Sequence, residues 1–205
     1  MPDENTDNYA KQVIAARELF LKWDQKKLIR RTGIDIDTGF IYINFFEERY
    51  SVNRSSGEVM FCEKSAADYS AVMVIYDVLC NSKPDAALSG EWQSLEYLTP
   101  HSNFGSTDKS IFSQAAKAFS GRIDELKKAC MNAGGIETKK GDAGFMFNAF
   151  PFLPVLFQFW DGDDEFEPRI SFHFDKNTLD YIMFETAWFV AGYLIDKISA
   201  GMKEK

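Results

Sequence analysis

Residues 145–175 read FMFNAFPFLPVLFQFWDGDDEFEPRISFHFD, three apolar runs broken by proline and by one acidic segment. Runs of six or seven residues rich in Phe, Val and Ile, bounded by Pro, Gly and Asp, are strand chemistry. FMFNAF, PVLFQFW and RISFHFD are therefore expected as strands, the last two joined across WDGDDEFEP. In RISFHFD, period-two alternation sends Ile170, Phe172 and Phe174 to one face and Ser171, His173 and Asp175 to the other. If PVLFQFW is the neighbouring strand, Gln158 falls on that same polar face.

Working outward, Tyr9, Val13, Ala16, Phe20 and Trp23 recur at helical steps and predict a helix over about 7–23. A second short helix is expected over QKKLIRRT, ended by Gly33. IDID, Thr38-Gly39 and FIYINFF read as a hairpin, and RYSVN, RSSG and EVMF as another, giving a meander of three or four strands. Ser65 to Asp68 has the form of a capping box, with a helix behind it to about Cys80. Residues 89–108 form the least regular segment. Helices follow from Thr107 to Phe119 and up to Gly134-Gly135, then IETKKGD as a polar connector. A last helix over 184–199 is apolar nearly all round, so it is either sandwiched in the core or part of an interface, such as a homodimer contact. The fold class is thus a single α+β domain over 1–205, with residues 1–6 flexible. Antiparallel strands in one sheet or two are packed by four or five helices.

Composition narrows the function classes. The chain has 205 residues, 45% hydrophobic and 26% charged, the range of a globular domain. Its 23 basic and 31 acidic residues leave a net charge of −8. That balance argues against nucleic acid or an anionic membrane as partner. The N-terminus has no signal-peptide pattern, and the apolar runs are too short to span a bilayer. Three widely spaced cysteines, an odd number, fit a reducing cytoplasm and fall short of the four thiols of a conventional iron–sulfur cluster. Nineteen phenylalanines either fill a core or wall a pocket for a flat apolar cofactor.

Candidate sites are few. Asp161, Asp163 and Glu165 alternate like the opening ligands of an EF-hand. The glycine and glutamate that loop requires at its sixth and twelfth places are here Phe166 and Phe172, so the match fails. What remains is a tight polar turn, or a divalent cation at Asp161, Asp163 and Asp164. His173, flanked by Asp175 and Gln158, reads as a general base, a metal ligand, a tetrapyrrole ligand or a half-buried structural histidine. Glu91, Trp92 and Tyr97 either line a ligand cleft or anchor a crossing segment, and His101 follows Pro100 in the same loop. No nucleophile elbow, phosphate loop or zinc motif occurs, so the chain carries no enzyme signature.

GEWQSLEYLTP, then QAAKAFSG with a further helix, then GDAGFMFNAFPFLPVLFQFWDGDDEFEPRISFHFD and an apolar terminal helix resemble the domain-of-unknown-function family 3786. The resemblance implies a setting in anaerobes, with some members joined to an iron–sulfur module like that of corrinoid proteins. Here such a module is absent, which tells against direct electron transfer. The implied function is a non-catalytic accessory domain, binding a corrinoid, another small cofactor or a partner protein. Two alternatives stand beside it. One is a small enzyme using Glu91, His173, Asp175 and the 161–165 carboxylates with a divalent cation. The other is an oligomerising protein.

Overall fold

The computed structural model describes residues 4–25, 33–99 and 111–203. All of the expected short helix QKKLIRRT beyond Gln25, and the helix start at Thr107, lie outside them. Two five-stranded antiparallel sheets and five helices make up the described chain, an α+β fold. None of these helices is long and apolar enough to cross a membrane.

After helix α1 (Glu4–Lys22), the first sheet is a meander: β1 (Ile34–Ile36), β2 (Phe40–Phe45), β3 (Glu48–Asn53), β4 (Val59–Phe61) and β5 (Ser65–Ala66), in sequence order. Asp37 closes the first hairpin, its Oδ1 accepting the Gly39 and Phe40 amides at 2.8 and 2.6 Å. The β2–β3 hairpin turns on Phe46-Glu47, both at positive φ (47° and 65°), where Asn-Gly would be expected. Burial offsets that strain: Phe46 is 2% exposed, stacks on Tyr193 at 5.7 Å, and donates its N–H to Ala149 O at 2.9 Å. The tip of the first sheet is thereby tied to the second.

Helix α2 (Tyr69–Asn81) starts one turn later than the capping-box pattern implies. Asp68 is itself the cap, accepting the Ala71 N–H at 3.0 Å, while Ser65 and Ala66 pair with β4. Strand β6 (Trp92–Ser94) follows, then α3 (Ile111–Phe119) and α4 (Ile123–Asn132). The second sheet has the order β6-β10-β9-β8-β7, with β7 (Ile136–Thr138), β8 (Ala143–Phe150), β9 (Leu153–Trp160) and β10 (Arg169–Asp175). Both edge strands correct the sequence: the "irregular" 92–94 and the "connector" 136–138 are paired backbone. Three-residue strands are too short for alternation to reveal.

Helix α5 (Phe184–Gly201) lies against α2, α3 and α4, which accounts for its all-round apolarity. None of its large apolar side chains is exposed. Tyr193 on α5 donates to Glu48 Oε2 at 2.6 Å and shares a 2.9 Å hydrogen bond with Tyr50, so α5 reaches the first sheet as well. One contiguous core joins both halves.

Candidate functional site

Strand alternation gives the second sheet two unlike faces. Phe157, Phe159, Phe172 and Phe174 are fully buried on one face. There α3 packs Phe112 against Phe172 at 5.2 Å and Phe119 against Phe159 at 6.3 Å. The other face carries the polar residues singled out from sequence. Cross-strand pairing sets Ser171 opposite Gln158, and His173 between Leu156 and Ser94. It sets Asp175 opposite Trp92 and Arg169 opposite Trp160. His173 and Gln158 are thus diagonal neighbours, within about 8 Å by sheet geometry. Trp92 (43% exposed) and Trp160 (37%) flank this face at its two ends.

His173 is half-buried, and its Nε2 lies 3.2 Å from Ser171 Oγ. Burial pushes the imidazole below its ordinary pKa; Glu96 opposes the shift, while Arg169 and Lys140 add to it. The ring is therefore neutral at pH 7, offering one N–H and one lone pair. Ser171 is 3% exposed, so its hydroxyl orients the ring and is no accessible nucleophile. Across the sheet, Thr138 pairs with Gly144, which pairs with Gln158. The Thr138 hydroxyl is buried without a partner among the described residues. This face therefore offers a neutral imidazole, with the two exposed indoles about 20 Å apart at its opposite ends.

Elsewhere the predicted residues serve as fasteners. Asp175 is 3% exposed; its Oδ1 accepts from Ser89 N, Ser89 Oγ and Asn177 N at 3.0, 3.1 and 2.8 Å, and its Oδ2 from Gly90 N at 2.8 Å. Burial raises its pKa, yet these donors outweigh burial and hold the carboxyl below the ordinary value. Glu91 is ion-paired with Lys176 at 3.1 Å in the open. His101 lies outside the described residues.

Asp161 accepts from Ser120 Oγ at 2.6 Å and from Gly121 N at 3.0 Å, pinning the α3–α4 junction to the end of β9. The Ser120 bond leads in lowering its pKa, burial opposes, and the Gly121 and Gly162 amides add to the lowering. Asp163 Oδ1 accepts the Glu165 and Phe166 amides at 2.8 and 2.7 Å, and its own N–H donates to Phe166 O, the hydrogen bonding of a tight polar turn. Asp164 is exposed in the same turn. Among the described residues no three His, Cys, Asp or Glu side chains are grouped to hold a metal ion. The acidic turn and Asp175 lie at opposite ends of β10, about 20 Å apart at strand rise. The 161–165 carboxylates, His173 and Asp175 therefore form no joint acid–base constellation.

Sequence reasoning found the His173 face but missed Ser171 as its hydrogen-bond partner and Thr138 as a buried hydroxyl. The i, i+2 spacing of Ser171 and His173 was a usable signal. The position of Thr138 depends on a three-residue strand and was not.

Residues 24–197 match the family model described as Domain of unknown function (DUF3786), and the chain belongs to that family. No curated protein and no solved structure matches it.

Proposed function

We propose that this member of the family is a non-catalytic accessory protein of anaerobic, low-potential redox metabolism. Its role is to bind a small cofactor or a partner on the His173 face of the second sheet. The observation that carries this is a half-buried neutral imidazole on a sheet face that also exposes a tryptophan at each end. His173 lies on the face opposite the phenylalanines and is more exposed than its neighbours Ser171, Gln158 and Leu156 there. A buried Ser171 hydroxyl orienting the ring, and no accessible nucleophile beside it, favour binding over covalent catalysis.

The test is the absorption spectrum and intact mass of protein purified without oxygen, followed by titration with hydroxocobalamin and haemin. A Soret or corrinoid band that shifts on binding and is lost in His173→Ala, with the fold intact, supports the reading. An unchanged ligand spectrum at saturating protein, for both macrocycles, rejects the cofactor version. Co-purification of a defined partner protein, abolished by Trp92→Glu, would then select the partner version, and its absence would reject that too.

A further inference from the structure

Gln158 is the polar side chain of the second sheet with no structural use. It is 6% exposed, and its carboxamide makes no hydrogen bond among the described residues. A buried amide left unpaired costs stability, a cost that a bound ligand removes. Its polar atoms are not sealed from solvent as Thr138 Oγ1 is. Pairing with Gly144 and Ser171 sets it on the outward side of β9, away from the phenylalanines. Beside that polar row runs an apolar one, Met146 and Leu156, which ends on His173. Ser171 engages the imidazole at Nε2, leaving Nδ1 without a partner among the described residues.

We propose that Gln158 and His173 together take an uncharged, flat ring that carries a carboxamide or lactam edge. This deepens the reading of the His173 face as a binding surface and rests on it. A carboxamide offers an acceptor and two donors side by side, so another amide or a lactam pairs with it through two bonds. Charge is disfavoured by the surroundings. Met146, Leu156, Gly144 and Ser171 carry none, and the imidazole is neutral. Glu96 acts on His173 with one sign, Arg169 and Lys140 with the other. An ion seated here would lose water and gain no dedicated counter-charge. The apolar row gives the ring its floor, and Gln158 and His173, diagonal neighbours on adjacent strands, are close enough for one ring with its amide to meet both.

The probe is benzamide, compared with methyl benzoate, which lacks the donor, and benzoate, which adds a charge. Binding is followed in ¹⁵N–¹H correlation spectra of the whole chain. Benzamide is expected to shift the Gln158 side-chain amide and the backbone amides of β8, β9 and β10 saturably, with a millimolar Kd. The ester and the carboxylate should each bind at least about fivefold more weakly, because both leave the carboxamide imperfectly paired. Gln158→Leu keeps the bulk of the side chain and removes an unpaired group, so the fold holds, which its spectrum verifies. That variant should bind benzamide and the ester equally, whereas His173→Ala should weaken both. Absence of saturable shifts in these strands below about 20 mM overturns the proposal. So does equal binding of the ester by the parent, or an amide preference that survives Gln158→Leu. A macrocycle bound through His173 while benzamide stays inert overturns this inference alone and leaves the reading of the face standing.

Discussion

Asp175 is the side chain on which the geometry makes its sharpest energetic demand. Its carboxylate, almost wholly buried at the end of β10, receives three backbone amides and one hydroxyl. In Asp175→Asn, Oδ1 can keep its three donors, but the new amide nitrogen replaces Oδ2 and faces the Gly90 N–H at 2.8 Å. One donor is then orphaned against another, and the rest lose charge assistance; at about 1.5–3 kcal/mol for a bond to a charged group, the net cost is about 2–3 kcal/mol. Asp175→Ala orphans all four donors and is expected to cost about 4–5 kcal/mol. Urea titration gives both values, and at this size each kcal/mol lowers Tm by about 2–4 °C. Hydrogen exchange should show lost protection at Ser89, Gly90 and Asn177. The pH dependence has a definite sign. Because the folded carboxyl lies below its ordinary value of about 3.9, its contribution is complete above that pH and is lost as pH falls through the lower folded value. The gap between the parent and Asp175→Asn should therefore hold from pH 7 to about pH 5 and close below about pH 4. Both variants within about 0.5 kcal/mol of the parent, or a gap that widens on acidification, would refute this account.

Four further outcomes follow from the same structure. Asp161→Ala, which frees the α3–α4 junction from β9, should cost about 1–2 kcal/mol by urea titration. Because Asp161 and Asp163 already accept N–H and O–H donors, millimolar Mg²⁺ or Ca²⁺ should leave the parent's Tm unmoved; a concentration-dependent rise would reverse that conclusion. Gly144→Ala puts a methyl 2.1 Å from the Lys140 carbonyl oxygen and should destabilise by about 2–3 kcal/mol, whereas an unchanged midpoint would show that the β7–β8 loop does not rest there. Ellman titration at about pH 8 should find Cys62 fast and the other two thiols slow until the chain unfolds. Burial pushes Cys80 up to about 12 and Cys130 higher still; rapid reaction of all three in native protein would contradict their placement.

By itself, the sequence determined what repeats along the chain. Alternation in RISFHFD and PVLFQFW placed the phenylalanines on one side and Ser171, His173, Asp175 and Gln158 on the other, because a strand's side chains alternate whatever surrounds them. Helical spacing likewise marked α1, α2 and α5. Tertiary structure alone decided what depends on partners distant in sequence. It made edge strands of 92–94 and 136–138, held a phenylalanine in a left-handed turn by burying it, and divided the strands into two sheets around α5. It also settled how the carboxylates are used. A carboxylate's chemistry is set by the donors that reach it, and those of Asp175 and Asp161 come largely from loops dozens of residues away. No local pattern records that approach, so from sequence a buried fastener and a catalytic acid look alike.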